Sequence, residues 1–382
     1  MAKPITERID LDPKEKFTPS IYLSAEEKFT DKKIKSTRLS ELYALDDGVS
    51  DHGFESGKAF VNFLDYSQKL GNCSEWLRYR KFEDGKIKLF DARFCRISTC
   101  PLCSWRRSLV WRSQLFGIVP KIYNDFPYHR FILLTLTVKN CELRYLKENV
   151  KVLQKGFSNL SKRAFFPFVG GVKSLEVTRQ WNFFYKGNFL RSTGLKWYYK
   201  QCPVKRKKFT VTPTDFVHPH IHFLGLVPNS YTGANRVSFK EYSRHWKEAL
   251  RIDYNPVIYV QEVTPRDVED TKENALFRSV CETLKYTVKD ADLVGSFCKD
   301  KILNAIFLKE LTKQLYKTRK IETFGNFKTY LKDVKEERNE DLIFTESEED
   351  RDLDQYSSEK SIGELLYRWE PRISKYVESV ID

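Results

Sequence analysis

The sequence predicts an α+β fold in which helices pack on a mainly antiparallel central sheet. Apolar, β-rich runs alternate with helical periodicity in the order strand, helix, strand, strand, helix, strand, helix. The chain has 382 residues, of which 41% are hydrophobic, enough for one large domain or two modest ones with a buried core. Grouped cysteines ahead of the first long strand predict a zinc-binding region on the N-terminal side of this fold.

The first part of the chain divides into two segments. Residues 1–60 are polar and mixed in charge, which predicts a polar N-terminal arm or irregular cap. Residues 61–117 hold the cysteine region and an amphipathic helix that follows from Trp105. We expect this helix to end at Gly117, since glycine commonly ends helices.

The central segment, 118–315, carries the predicted sheet. Its strands and helices follow from apolar density, period and length. Beyond it, 316–382 is predicted to be a C-terminal helical and acidic tail, in which the acidic stretch 333–360 is mobile. The predicted strands are 131–138, 170–178, 217–227 and 256–263, and the predicted helices are 146–161, 238–250 and one that carries 279–289.

The charge of the chain points to a polyanionic partner. Lysine and arginine number 66 against 52 acidic residues, which gives a net charge of +14. Nucleic acid is the default partner for such an excess, and 20 Tyr and 28 Phe would suit base stacking as well as a core. A basic balance is also common in other proteins, so charge alone does not decide the function.

The N-terminus lacks the apolar stretch of a signal peptide, and the longest apolar runs are too short to cross a bilayer. We therefore expect a cytoplasmic protein that has no membrane partner. In that reducing setting the eight cysteines are better interpreted as metal ligands or core thiols than as disulfides.

Four cysteines have the spacing of a structural zinc site. Cys100 and Cys103 are separated by two residues, as in a zinc knuckle, and Cys95 and Cys73 are the natural third and fourth ligands. A redox pair is the competing interpretation, but no thioredoxin-like context surrounds it. The remaining cysteines are scattered and are interpreted as core or surface thiols: Cys141, Cys202, Cys281 and Cys298.

Three of the six histidines fall at 218, 220 and 222. In a β-strand His218, His220 and His222 would share one face, and Ile221 and Phe223 the other. Imidazoles at this spacing can chelate a divalent metal. The alternative is a polar strand face wetted by solvent.

A second group of reactive residues lies late in the chain. If 279–289 is helical, Glu282, Tyr286 and Lys289 share one face. A tyrosine hydroxyl can attack a phosphodiester when a metal polarises the phosphate and a cation stabilises the developing charge. An ordinary amphipathic helix is the alternative interpretation.

Taken in order, segments 131–137, 220–222 and 285–289 resemble the three motifs of the HUH endonucleases. The sequence is most similar to rolling-circle plasmid replication initiators of the Gram-positive type (Rep class 1), also found on small cyanobacterial plasmids. The cysteine run before 105–107 and a glutamate four residues ahead of the tyrosine support that subgroup. The resemblance covers about residues 70–300 and implies the HUH endonuclease fold.

The resemblance implies a role for several residues. Tyr286 would attack one strand at the double-strand origin and stay joined to its 5′ phosphate, leaving a 3′-OH as primer. His220 and His222 would hold Mg²⁺ or Mn²⁺, and Lys289 would supply the nearby cation. Glu282 would act as general base for water and so end the replication round by hydrolysis.

Two further metal ligands are candidates from the residues themselves. Hard cations prefer oxygen ligands, and Glu176, on a neighbouring predicted strand, is our candidate carboxylate. A solvent-facing glutamate is the alternative. His218 is a doubtful ligand, because Pro219 could break the strand beside it.

Plasmid DNA is the expected partner, with a host helicase as a possible second one. Candidate DNA contacts are basic residues after the cysteines and in the segment before the histidine strand: Arg106, Arg107, Lys205, Arg206, Lys207 and Lys208. A transposase or conjugative relaxase would use the same chemistry. A zinc-dependent DNA-binding regulator without catalysis is a different class, which would leave the histidines and Tyr286 unexplained.

Overall fold

A computed structural model of the chain describes residues 25–50, 52–57, 59–83, 85, 87–195, 197, 210–231, 235–265, 270–285, 287–294, 300–331 and 361–379. Its strands are β1 (Gly53–Ser56), β2 (Ala59–Asn62), β3 (Trp76–Lys81), β4 (Ile87–Ala92), β5 (Arg130–Thr137), β6 (Cys141–Glu142), β7 (Gly170–Tyr185), β8 (Asn188–Thr193), β9 (Thr210–Val227), β10 (Ile258–Glu262), β11 (Ile321–Gly325), β12 (Gly363–Glu370) and β13 (Lys375–Ser379).

The helices that pack on the central sheet bury an apolar face. In chain order, the described helices are α1 (Ala25–Ala44), α2 (Phe63–Gly71), α3 (Pro101–Asp125), α4 (Leu146–Leu160), α5 (Phe239–Leu250), α6 (Lys272–Thr283), α7 (Asp290–Val294), α8 (Lys301–Leu315) and α9 (Phe327–Tyr330). In the described part of the chain, no helix has the length and apolar character needed to span a membrane.

A seven-stranded antiparallel sheet forms the centre of the fold, in the order β10-β5-β9-β7-β11, with β6 added to β9 and β8 to β7. The predicted α+β class with a mainly antiparallel sheet is thus confirmed. Both faces are covered by helices. Phe223 packs against Phe157 of α4 on one face, while Leu224 lies on the other with Leu115 of α3 and Val280 of α6.

The helices on the sheet form where the sequence provides periodic apolar residues and end signals. In α4 the buried residues Leu146, Val150, Leu153 and Phe157 recur every three or four positions. Helix α5 begins with a capping box at Ser238, which matches the predicted start. The predicted helices 146–161 and 238–250 are therefore confirmed.

Two predicted helix ends are wrong. Helix α3 continues past Gly117 to Asp125, because its last turns bury Ile122 against the sheet. The helix predicted over 279–289 ends at Thr283, so Glu282 and Lys289 do not share a helical face. The chain leaves the helix because Ser174 Oγ donates to the carbonyl of Thr283.

The region predicted as an irregular N-terminal arm contains a helix in its described part. Helix α1 buries Phe29, Leu39 and Tyr43 against the cysteine region and α8. The Tyr43 hydroxyl hydrogen-bonds Thr312 of α8 at 2.5 Å and Thr99, next to the cysteines, at 2.8 Å. This stretch was missed because it is strongly charged and has no sharp apolar stripe.

The C-terminal segment also differs from a tail. Strand β11 pairs with β7 and so belongs to the central sheet. The hairpin of β12 and β13 pairs with β3, forming a second sheet in the order β13-β12-β3-β4. The predicted mobile acidic stretch, 333–360, lies outside the described residues.

The basic segment ahead of the histidine strand is also partly strand. Strand β7 runs to Tyr185 and turns back into β8, and β9 begins at Thr210, ahead of the predicted start. Pro219 does not break β9, because it lies opposite Val177 in continuous register with β7. The histidine strand is therefore continuous from Thr210 to Val227.

Candidate functional site

Two neighbouring strands bring a carboxylate and two imidazoles together. Glu176 of β7 lies directly opposite His220 of β9, and alternation places His222 on the same face. Glu176 Oε2 is 3.2 Å from His220 Nε2 and 2.9 Å from His222 Nε2. All three side chains are buried, at 2%, 9% and 5% exposure, so this is not a face wetted by solvent.

The second nitrogen of each ring explains why these contacts suit a cation. His220 Nδ1 lies 3.2 Å from the carbonyl oxygen of His218, a contact that an Nδ1–H donor would satisfy, and its Nε2 is directed at Glu176. His222 Nδ1 hydrogen-bonds the Thr135 hydroxyl at 3.1 Å. Burial lowers the pKa of His222, which keeps its ring neutral. Two imidazole nitrogens and a carboxylate oxygen thus converge, a donor set that suits a metal ion.

His218 lies beside this trio without joining it. Its ring stacks on that of His220, with centroids 5.1 Å apart. The atoms that could ligate one ion within 4.8 Å of one another come from Glu176, His220 and His222. Burial, followed by the neighbouring His220, lowers the pKa of His218 to about 4.

Two lysines surround the carboxylate. Lys285 Nζ is 2.8 Å from Glu176 Oε2 and 2.5 Å from Glu282 Oε1, and Lys289 Nζ is 3.3 Å from Glu176 Oε1. Burial opposes the charge of Lys285, but the two carboxylates outweigh it and raise its pKa. We did not single out Lys285 from the sequence, although its place three residues after Glu282 was a signal.

Tyr286 lies outside the described residues, but the residues on either side of it are described. Lys285 contacts Glu176, and the carbonyl of Thr287 accepts a 2.7 Å hydrogen bond from the backbone N–H of Val177. The residues before and after position 286 therefore both contact β7, one at Glu176 and the other at its neighbour Val177.

Glu282 occupies the last turn of α6, at the edge of the same cluster. Burial opposes its ionisation, but Lys285 and then His222 outweigh burial and lower the pKa of Glu282 below its usual value. A carboxylate that is ionised at neutral pH can accept a proton.

The four predicted cysteines form a second cluster. Cys73 Sγ lies 3.7 Å from the sulfurs of Cys103 and Cys100, and Cys95 Sγ lies 3.6 Å from Cys103. A tetrahedron with 2.3 Å zinc–sulfur bonds has edges of about 3.8 Å. The sulfurs of the cluster therefore already have the spacing of a four-thiolate zinc site. All four cysteines are free thiols, as are Cys141 and Cys281; Cys202 and Cys298 lie outside the described residues.

Nearby donors and a cation suit thiolates at this cluster. The backbone N–H of Arg96 donates to Cys103 Sγ at 3.2 Å, and that of Cys95 to Cys73 Sγ at 3.4 Å. Lys33 of α1, fully buried, donates to the carbonyl of Cys73 at 2.7 Å. Burial opposes ionisation, but bonds to the other three cysteines hold the pKa of Cys100 well below its usual value.

The predicted DNA contacts have different environments. Arg106 is buried and lies over the rings of Phe29 and Trp105, which does not suit a contact with phosphates. Its position in the first turns of α3 faces α1 rather than solvent. Arg107, half-buried, lines an open cavity. Lys205, Arg206, Lys207 and Lys208 lie outside the described residues.

Comparison with known proteins gives a consistent result. Residues 86–377 match the family model Rep_1, described as replication protein. The chain is 32% identical to a Protein rep of Lactiplantibacillus plantarum, over 78% of this chain and 83% of that protein. It is 29% identical to a Protein rep of Streptococcus pneumoniae serotype 2 (strain D39 / NCTC 7466), over 74% and 77% of the two chains. No solved structure matches the chain.

Proposed function

Since this chain belongs to the Rep_1 family of replication proteins, we propose that it initiates rolling-circle replication of a plasmid by nicking one strand at the double-strand origin. The family supports a role as plasmid replication initiator, which acts on plasmid DNA. The nicking chemistry, its metal and its residues are our proposal.

One observation carries the proposed chemistry. Glu176, His220 and His222 converge at a buried point, and the residues that flank Tyr286 are bonded to the same stretch of β7. A metal centre and a tyrosine next to a lysine are the parts that phosphodiester transfer needs. When bound there, Mg²⁺ or Mn²⁺ supplies the charge that polarises the scissile phosphate.

The proposed step is an attack by the Tyr286 oxygen on phosphorus. The bond from phosphorus to the 3′ oxygen breaks, a 5′-phosphotyrosyl bond forms, and the proton of the tyrosine is lost to solvent. The 3′ oxygen leaves as a hydroxyl that can prime synthesis. Lys285 and Lys289 would stabilise the negative charge that develops on the phosphate oxygens.

Termination requires a second cleavage. We propose that Glu282 takes a proton from water, whose oxygen then attacks phosphorus and releases the second 3′ end. Its lowered pKa leaves Glu282 ionised and able to accept that proton. The bond from that phosphorus to its 3′ oxygen breaks, and the 3′ oxygen leaves as a hydroxyl with the proton from Glu282. This hydroxyl then attacks the 5′-phosphotyrosyl phosphorus, which would break the bond to Tyr286, close the DNA circle and free the enzyme without a second tyrosine.

The cysteine cluster is proposed to hold one structural Zn²⁺ through Cys73, Cys95, Cys100 and Cys103. Three buried thiols and one half-buried thiol are stable in a reducing cytoplasm, where we place the protein. A host helicase remains a proposed second partner.

The test is nicking of a supercoiled plasmid that carries the replicon's own origin, with Mn²⁺. We expect the wild type to relax it and to form an SDS-stable adduct with DNA, and Tyr286→Phe to do neither. Tyr259→Phe, a change at an exposed tyrosine of β10, is the matched control and should act like the wild type.

A regulator without catalysis is the alternative from another class. Such a protein would bind the origin but leave the plasmid supercoiled, and Tyr286→Phe would change nothing. A transposase or relaxase would share the chemistry, and the family match favours replication over both.

A further inference from the structure

A cavity of about 500 Å³ opens between the cysteine region and the start of β11, outside the metal-binding trio. Three half-buried aromatic side chains contribute to its walls: Tyr66 of α2, Trp111 of α3 and Tyr316 at the end of α8. Aromatic rings exposed in this way can stack on nucleic acid bases. We call this feature the aromatic groove.

The charge of the groove is of one sign. Five basic residues line it, and none of its described lining residues has a carboxylate side chain. These basic residues are Lys69, Arg96, Arg107, Lys317 and Lys320. A surface with cations and rings but no acids is complementary to a phosphate backbone with unpaired bases.

The groove lies close to the proposed reaction centre in the fold. Ile321, on its wall, is paired with Ser174 of β7, and Glu176 is two residues further along the same strand face. Ser174 and Glu176 are about 7 Å apart along β7, and the step from Ile321 across to Ser174 adds about 5 Å. A DNA strand held in the groove is therefore within reach of the proposed reaction centre.

From these observations, and resting on the proposed function, we infer that the aromatic groove binds single-stranded DNA next to the nick site. The rings would stack on unpaired bases, and the lysines and arginines would contact phosphates. Bases inside a duplex are already stacked on each other, so a duplex cannot use the rings. Tyr316, Lys69 and Lys320 would thus contact the DNA strand. Arg107, a predicted DNA contact, would do so from the wall of this groove.

The experiment measures binding separately from cleavage. A fluorescein-labelled 20-nucleotide oligo-dT is titrated by anisotropy with full-length Tyr286→Phe protein, without added Mn²⁺, at several salt concentrations. In that background, Lys69→Ala with Lys320→Ala should weaken binding at least tenfold and reduce the salt slope by about 1.4, the value for two lost single-strand contacts. Tyr316→Leu should weaken binding at least about fivefold and leave the slope unchanged.

Lys240→Ala is the matched control, an exposed lysine of α5, which packs beside β10 at the edge of the sheet opposite β11, and should bind like the parent protein. Unchanged affinity of the groove variants would overturn the inference. So would equal losses on a 20-base-pair duplex, since that result would indicate general phosphate binding.

A second measurement needs no substitution in the groove. Oligo-dT that carries 5-iododeoxyuridine is crosslinked by light to the Tyr286→Phe protein, and the adducts are mapped by mass spectrometry. Adducts at Tyr66, Trp111 or Tyr316 support the inference, and adducts confined to other segments overturn it. Plasmid nicking by the wild type tests the proposed function independently: a chain that binds through the groove but never nicks would contradict that function alone.

Discussion

At the scale of single residues, the site is defined by three side chains with ligating atoms that converge on one point. The Nε2 atoms of His220 and His222 face Glu176 Oε2, and Lys285 supplies a cation from the side. In the structure the Lys285 ammonium neutralises the same oxygen that would ligate a metal. Lysine and metal therefore compete for one carboxylate.

This competition gives a prediction for Lys285→Met. Removing the ammonium, 2.8 Å from Glu176, leaves a buried carboxylate without a cation and so favours the metal. We expect Mn²⁺ to bind about tenfold more tightly, in line with about 1.5–3 kcal/mol for hydrogen bonds to charged groups. Calorimetric titration in the Tyr286→Phe background measures it, with the exposed Lys272→Met as control. Weaker Mn²⁺ binding would show that Lys285 instead positions Glu176.

Glu282 gives a second prediction at this scale. Glu282→Ala removes the proposed base for water but not the metal-binding trio, so the variant should nick normally and fail to terminate cleanly. Its covalent protein–DNA adducts should accumulate over time on a substrate with two nick sites. Gel analysis of products and adducts measures both steps. Normal release of closed circles by the variant would refute the role of Glu282.

At the scale of elements, the strands were predictable and two helix ends were not. Apolar density and alternation located β5, β7 and β9, because these strands are buried by helices on both faces. Helix α6 ends at Thr283 because of a contact with Ser174, more than a hundred residues earlier in the chain. A local pattern carries no information about such a contact.

The cysteine cluster acts at the start of an element, because Cys100 is the N-cap of α3 and Cys103 lies in its first turn. Cys100→Ser should therefore lose zinc and loosen α3 together. We expect about one zinc per chain in the wild type by elemental analysis, much less in the variant, and a melting temperature lower by several degrees, since a structural zinc contributes folding energy. Cys141→Ser is the control. A variant with full zinc content would contradict the four-cysteine site.

At the scale of the whole molecule, distant segments complete the cysteine region. Helix α1 buries Lys33 beside it, and the β12–β13 hairpin adds strands to β3. The Tyr376 hydroxyl donates to the carbonyl of Ser74 at 2.5 Å. The sequence predicted the four cysteines from their spacing, but it could not predict these partners, since strand pairing over such distances has no local signature.

Deletion of residues 361–382 should accordingly damage the cysteine region rather than the central sheet. Without β12, the edge of β3 is exposed and Tyr79 and Leu77 lose cover. Limited proteolysis should cut the deletion variant between 73 and 103 well before the sheet strands. Tyr376→Phe, which loses one hydrogen bond, should cost only about 0.5–1.5 kcal/mol of unfolding free energy and resist cleavage. Equal resistance of the deletion variant would show that the hairpin is dispensable.

The most predictable part of the site was the group formed by Glu176, His220 and His222. Histidines two apart must share a strand face, and Glu176 needed only a neighbouring antiparallel strand to reach them. Lys285 and the aromatic groove were not foreseen, because their residues come together only through the path of the chain after α6 and α8. Spacing along one strand or helix predicts which of its own side chains lie together. It does not predict which residues of other elements will lie beside them.

The hydrogen bond between Ser74, the residue after Cys73, and the β12–β13 hairpin has a consequence for synthesis. The hydrogen bond between Ser74 and Tyr376 cannot form until residue 376 has been made, 302 residues after Ser74. At about 5–20 residues per second, a ribosome takes about 15–60 s to make that stretch. The strands that carry Glu176, His220 and His222 emerge earlier, and the last wall of the groove, at residues 315–321, follows them. A nascent chain thus holds Glu176, His220 and His222 before its cysteine region is complete, and a chain truncated ahead of residue 376 lacks the hydrogen bond that completes that region.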